Sequence, residues 1–548
     1  LAADIKRRYN RDASDRQSRL DTIALCSALT DSSVFPPEAA YESHNVHGAK
    51  DTQLRLPETF TSVGARGITI LEGMMTSALY PVTQPFFELR APHNVERQLL
   101  AQGGRAYEDY MQEMLRIELT AMAILESAGA DEASNRRPFG FRSRKSIVNR
   151  TLLIGGDCLE KMGDDYRVRP FRPDQYVTRR DSAGDVLYHI TAERVDVLAL
   201  TDEQRAAADI DTEDYKDRDP LKRMETLYTL VEWQPQAKNW IIRQQVRNAI
   251  IPNSSGEDET EETISPYFST AFKLAPNEDY GRSFIEVNCL GDLRSLNEIQ
   301  RHRLNLLYLA AKQHPVFDHA SQTQENDLME ETGVPVRARV EGGAAQDIGV
   351  FSFGNIADYQ MLTQGVATYT QDLARTMLIE SASAPNKDRV TATQIQRIAQ
   401  ELEGALGGVY TQIADDQHRP LVARTLHQME RDGIIGSLTS NGQNLVDIRT
   451  MTGLAALQRE SQKNDLITLT EFASQLGDRA LARIDMGVAI DMFQRYSSMS
   501  AHGLVKSDEQ VAQEEQARLE SMAAERGIDA VGNIAENAAS AAATQGAQ

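Results

Sequence analysis

Cysteine is scarce in this chain: Cys26, Cys158 and Cys289 are the only three in 548 residues. They are far apart and form no Cys-x-x-Cys pair, which excludes a disulfide framework and a thiolate metal site. They read as buried thiols acting as small apolar residues in a reducing compartment. Long hydrophobic runs are also missing. The longest, around Leu119–Leu125, is broken by Thr120 and bounded by Glu118 and Glu126, well short of the roughly 20 apolar residues that span a bilayer. With no secretory signal visible, a soluble chain is expected, cytoplasmic or destined for a particle assembled there, with no membrane partner. Positive charge is in deficit. Lys and Arg number 58 against 80 Asp and Glu, for a formal net charge of −22. Proteins that grip nucleic acid by neutralising phosphates usually carry a basic surplus. An acidic wall can instead surround DNA and let it slide, because it offers no deep binding wells.

The motifs of catalysis are missing as well. No GxxxxGK[ST] loop is present to cradle ATP phosphates, and no GxGxxG follows a strand pattern. Gly404, Gly407 and Gly408 sit inside a helical pattern, where they are expected to allow close packing. HExxH and GxSxG are absent. His44 and His47 are the one close histidine pair, in a polar loop, and make a poor metal site. Carboxylates are abundant, but nothing singles out a pair for acid–base work. The expectation is a protein with no enzymatic activity, no cofactor and no metal.

What is present is a long alternation of helical and extended patterns. The first 25 residues read as a charged helix, followed by a Ser-, Pro- and His-rich loop from Asp31 to about Pro57. Val63 to Leu79 has strong helical periodicity and ends at Tyr80-Pro81; helices are also expected over 104–127 and 142–154. Between about 158 and 274 apolar and polar residues alternate, as in Val186–Thr191 and Glu225–Trp233, and Asp181–Gly184 reads as a hairpin turn. Glu257–Glu262 is acidic and reads as a solvated loop.

From Val287 helices dominate. Leu290, Leu293, Leu296, Ile299, Leu306 and Leu307 recur at three- and four-residue steps up to a stop before Pro315. A Pro- and Gly-interrupted stretch follows, then a helix from about Ala357 to Glu380 with a narrow stripe of Leu362, Val366, Tyr369, Leu373 and Met377. Thr391 and Gln394 form a candidate capping box opening a long helix that Pro420 should kink or end. Ser507 and Gln510 make a second candidate box, and beyond about Gly527 the composition thins to Ala, Asn, Ser and Gln, which cannot bury much surface.

Three collinear blocks resemble one family. Val63-Gly-Ala-Arg-Gly67 with Ala78-Leu-Tyr-Pro81 is similar to the N-terminal signature of portal, or head–tail connector, proteins of autographivirus-type short-tailed bacteriophages. Asp279–Glu286 followed by Gly291–Leu296 resembles the family's most distinctive stretch, and Arg389–Ala392 with Glu401–Glu403 and Leu406–Tyr410 matches a third. The loop at 30–57, the segment 251–265 and the last hundred residues depart from the pattern.

The resemblance implies an α+β, mainly helical portal fold assembled as a ring of about twelve subunits. Residues 1–287 would form the wing, 288–314 and 357–380 two stem helices, 315–356 the clip and 381–391 a tunnel loop. Residues 392–449 would return to the wing, and 450–548 would form the crown or barrel. The implied role is a conduit for double-stranded DNA at one capsid vertex. Its implied partners are the major capsid protein, scaffold, terminase large subunit, tail adaptor and internal core proteins. Lys387 and Arg389 are candidate DNA-channel residues, and Arg337 and Arg339 candidate contacts for the adaptor or terminase. Gly64, Arg66, Gly67, Tyr280, Gly281, Gly407 and Gly408 are candidate structural residues of the signature blocks. A tail adaptor or scaffold-like component is the other reading, against which the strand-rich 158–274 weighs.

Overall fold

The structure, a computed structural model, describes residues 5–35, 58–81, 85–102, 104–128, 140–216, 218, 223–253, 256–311, 314–317, 340–341, 344–345, 348–351, 356–379, 401, 404, 406, 409–440, 443–451, 453–475, 489–490 and 493. The chain opens with α1 (Ile5–Leu29), α2 (Val63–Leu79), β1 (Phe87–Arg90), α3 (His93–Gln102), α4 (Gly104–Ser127) and α5 (Phe141–Gly155). Next come β2 (Asp157–Met162), β3 (Val168–Pro170), β4 (Tyr176–Arg180) and β5 (Val186–Asp196). Two short helices, α6 (Asp202–Ala207) and α7 (Glu213–Lys216), precede β6 (Met224–Gln234), β7 (Asn239–Val246), β8 (Ala249–Ile251), β9 (Thr260–Glu262) and β10 (Tyr267–Ala271). The long helices α8 (Leu290–Ala311) and α9 (Ile356–Thr376) bracket four short strands, β11 (His314–Phe317), β12 (Val340–Glu341), β13 (Ala344–Ala345) and β14 (Ile348–Phe351). The last described elements are α10 (Val409–Arg431), β15 (Thr439–Ser440), β16 (Gln443–Asn444), β17 (Asp447–Thr450) and α11 (Gly453–Gln475). The fold is thus mixed α/β and mainly helical.

Two compact units divide the chain: Leu1–Tyr107 with Arg116–Leu454, and Glu108–Leu115 with Ala455–Gln548. The first holds every sheet among the described residues. Its six-stranded sheet runs β4-β5-β6-β7-β8, with β9 also on β7, all antiparallel. In register, Ile190 faces Leu230 and Ala192 faces Tyr228. These side chains share one face, because strand residues two apart point the same way. On that face they meet Ile5 and Tyr9 of α1, with Val177 and Tyr188.

The opposite face carries polar residues, yet His189, Thr191 and Thr229 on it are buried. The reason is a second layer. Leu159, Phe171 and Tyr267, around the sheet β10-β2-β3, pack on Tyr176 and Val231 and cover that face. His189 finds a partner in Thr178, 2.9 Å away.

α5 and α10 carry polar groups into the core. Lys145 and Glu160 pair at 2.6 Å with both side chains 0% exposed. Arg424 of α10 pairs with Glu262 at 2.7 Å and donates to the Ile264 carbonyl at 2.9 Å. The acidic run is therefore only partly a solvated loop: Thr260–Glu262 forms β9, and Glu262 serves as a counter-ion to α10. α10 also passes through Pro420 without ending. Buried residues on both sides of the proline, Gln417 and His418 before it and Leu421, Val422 and Thr425 after it, hold the two halves to the core. This offsets the lost backbone bond.

Candidate functional site

The segment joining the sheets to α8 concentrates more charged contacts than its length suggests. Asp279 accepts from Arg179 Nη1 at 2.8 Å and from the Arg180 backbone N–H at 2.8 Å, while its carbonyl accepts from Arg180 Nε at 3.1 Å. Tyr280 accepts from the Thr178 N–H at 2.9 Å. Together these two residues satisfy the outer edge of β4, which would otherwise leave unpaired backbone donors. Burial pushes the Tyr280 hydroxyl up, so it stays protonated.

Gly281 lies against Gly156, the left-handed cap of α5 (φ +84°). A Cβ on Gly156 would come 2.5 Å from the Gly281 carbonyl oxygen, and one on Gly281 would strike the Gly156 carbonyl. Neither position has room for a side chain. Beneath them Asp157 accepts from Tyr176 Oη at 2.8 Å. Burial pushes the Asp157 carboxyl up, opposed by Arg180 and by the Tyr176 and Gly281 hydrogen bonds.

α1 grips the same segment. Arg19 makes two 2.9 Å bonds to Glu286 and a third, also 2.9 Å, to the Gly281 carbonyl. Arg179 bridges Asp279 to Asp12 and Asp15 of α1. A cleft of about 180 Å³ lies among Asp12, Arg16, Arg19, Arg179, Glu278 and Asp279. Past the anchors Phe284 and Ile285, both 0% exposed, the backbone forms a π turn at Ile285–Cys289, where the Leu290 N–H reaches back to the Ile285 carbonyl. α8 starts from that turn.

The first signature block supports α8 from the other side. A Cβ on Gly64 would come 2.5 Å from the Leu29 carbonyl and 3.2 Å from Leu293 of α8; one on Gly67 would come 2.9 Å from Met377 Cβ. The missing side chains let α2 approach α1, α8 and the end of α9 at once. Arg66, between the two glycines, is exposed. Buried Asn297 of α8 accepts from the Phe60 N–H at 2.7 Å and donates to the Glu58 carbonyl at 2.8 Å.

Of the residues singled out from sequence, the structure thus gathers Gly64 and Gly67 beside α8 and Tyr280 with Gly281 at its root. A Cβ on Gly404 would meet nothing within 4 Å among the described residues. Lys387, Arg389, Arg337, Arg339, Gly407, Gly408, the histidine pair and both candidate capping boxes lie outside the described residues. Sequence reasoning missed Arg19, Arg179 and Asn297. Their partners are 100 or more positions away in the chain, and no local pattern marks them.

Burial pushes the Cys26 and Cys289 thiols up to about 12 and Cys158 well above its ordinary value, so none is a ready nucleophile. Among the described residues no cluster of His, Cys, Asp and Glu could hold a metal ion, and no helix is long and apolar enough to cross a membrane.

Residues 2–505 match the family described as bacteriophage head to tail connecting protein. The chain belongs to that family. It is similar to the portal protein of Enterobacteria phage T3, 26% identical over 531 residues covering 96% of this chain and 91% of the relative. The portal protein of Escherichia phage T7 is 27% identical over 458 residues, covering 82% and 78% respectively. Among solved structures, the neck of an empty GTA particle covers 64% of this chain and 90% of its own at 13% identity, with a TM-score of 0.24, too loose to bear on the fold. All three blocks that carried the family resemblance fall inside the matched residues. The role is that of a portal or head–tail connector.

Proposed function

We propose that the chain is one subunit of a closed ring at a single capsid vertex, through which double-stranded DNA is packaged and later ejected. On this reading 1–287 is the wing, α8 and α9 belong to the stem, 315–356 is the clip, and 381–391 reaches into the bore. The observation that carries it is on the stem helices. α8 leaves Leu304 46%, Leu307 43% and Tyr308 62% exposed, and α9 leaves Met361 73% exposed, in a chain that is otherwise acidic. Large apolar groups grouped on long helices mark a protein contact. Ring closure offers every subunit the same neighbour on each flank.

Charge fits the traffic of DNA. Each subunit brings −22, so the wall repels phosphate over a Debye length of about 8–10 Å. A few cations at the narrowest point then centre or brake the duplex, and Lys387 and Arg389 are proposed for that role. Arg337 and Arg339 are proposed to meet the tail adaptor or the terminase, and the capsid, scaffold and internal core proteins are the other proposed neighbours. The role is structural, so the energy for translocation comes from the terminase.

Native mass spectrometry with negative-stain imaging tests the ring. The expected result is about twelve copies of the 60.9 kDa chain, about 0.7 MDa, around a central hole. A folded chain that stays monomeric even with scaffold present overturns it. Reversing charge at Lys387 and Arg389 should impair packaging or DNA retention; unchanged values for both would remove those residues from the channel.

A further inference from the structure

We infer that α1 is an ionic strap over the root of α8, and that the π turn Ile285–Cys289 is a joint which yields when the strap is released. This does not depend on ring closure.

Three observations meet at the joint. A π turn inserts one residue into helical register and is rare enough to mark a place where a helix can change its pairing. Here Leu290 N–H bonds to the Ile285 carbonyl, while Val287 N–H still bonds in ordinary α fashion to Ser283. The register therefore changes within the turn itself. The flank of the turn is open, with Val287 45% exposed, so no apolar packing fixes it there.

The second observation is what holds the turn. Glu286 lies inside it and is gripped by Arg19, with side chains 17% and 21% exposed. One step earlier, Asp279 is tied through Arg179 to Asp12 and Asp15. Apart from the one to buried Asp12, these bonds are charge-assisted and reachable by water, so they open at lower cost than the apolar anchors Phe284 and Ile285 beside them. The cleft of about 180 Å³ is lined by Arg19 and Arg179 themselves and gives the side chains of the strap room to swing away.

The third is that the strap is fixed elsewhere. Arg16 donates to the Pro173 and Asp174 carbonyls at 2.7 and 3.2 Å, and Tyr9 donates to the Asp174 carbonyl at 2.9 Å. α1 therefore stays on the sheet when its grip on Glu286 is lost. Beyond the joint, α8 is tied to the entry of α2 through Asn297, and the two respond together. In a ring, the joint would set the pitch of the helices that line the bore.

Hydrogen exchange on the full chain tests the strap. In the wild type, amides of Val287–Leu290 should exchange at least about tenfold faster than those of β5 and β6. Arg19→Gln should raise exchange in Val287–Leu290 by a further order of magnitude and leave β5 and β6 unchanged. The charge swap Arg19→Glu with Glu286→Arg should restore most of the protection. A π turn as protected as the sheet in the wild type, which requires no variant, overturns the inference. So does an Arg19→Gln effect that is absent or spread evenly over the sheet.

Discussion

Gly281 and Gly73 are equally small, yet alanine should act on them in opposite directions. A Cβ on Gly281 would strike the Gly156 carbonyl and come 3.0 Å from both Ala271 Cβ and Phe272 N, so Gly281→Ala should cost about 1–3 kcal/mol. A Cβ on Gly73, exposed within α2, meets nothing within 4 Å, and Gly73→Ala should add about 0.5–1 kcal/mol through helix propensity. Denaturant midpoints of the two variants check both signs. His418 offers a titration. It is wholly buried against Tyr80 and Phe86, and burial, helped by Lys145, lowers its pKa from 6.5 to about 3. Between those values the unfolded chain binds a proton that the folded chain refuses. Stability is therefore full above about pH 6.5 and falls as pH drops, at up to about 1.4 kcal/mol per unit from this group. His418→Phe should flatten the slope by about one proton, read from unfolding curves across that window. An unchanged slope would mean that the folded protein already carries the charge.

At the scale of elements, single polar contacts decide which pieces stay together. Lys145 ties α5 to Glu160 of β2 with both side chains out of water. Lys145→Met alone should cost about 3–5 kcal/mol, because it leaves an uncompensated buried carboxylate. Adding Glu160→Met should recover most of that loss, and a double-mutant cycle in urea measures the recovery. The existence and type of these elements were legible beforehand. The pattern over 63–79 predicts α2 to the residue, since Ile68, Leu71, Met75 and Leu79 keep three- and four-residue steps and Tyr80-Pro81 stops the helix. Pro420 was legible as a residue, but the helix does not end there, because local sequence does not say how firmly the flanking turns are buried. Alternation in β5 likewise revealed a strand without revealing that its polar side faces a second sheet.

For the whole molecule, the exposed apolar residues of α8 and α9 carry the assembly prediction. Leu304→Glu with Leu307→Glu should leave the monomer folded, since both side chains are already partly in water, while shifting sedimentation from a ring to smaller species. A ring that forms undiminished would place the subunit contacts elsewhere.

The sequence by itself determined the class of this protein. Its charge, its missing nucleotide and metal motifs and three collinear blocks pointed to a connector, and those signals survive because they are local or compositional. Only the tertiary structure decided what the blocks are for. Gly64 and Gly281 read as structural residues in the sequence, but only the fold brings Leu29 and Leu293 against the first and Gly156, 125 positions away, against the second. Arg19, Arg179 and Asn297 carry no sequence signal, because an ion pair or a buried amide is specified by a partner, and folding alone brings the partner near.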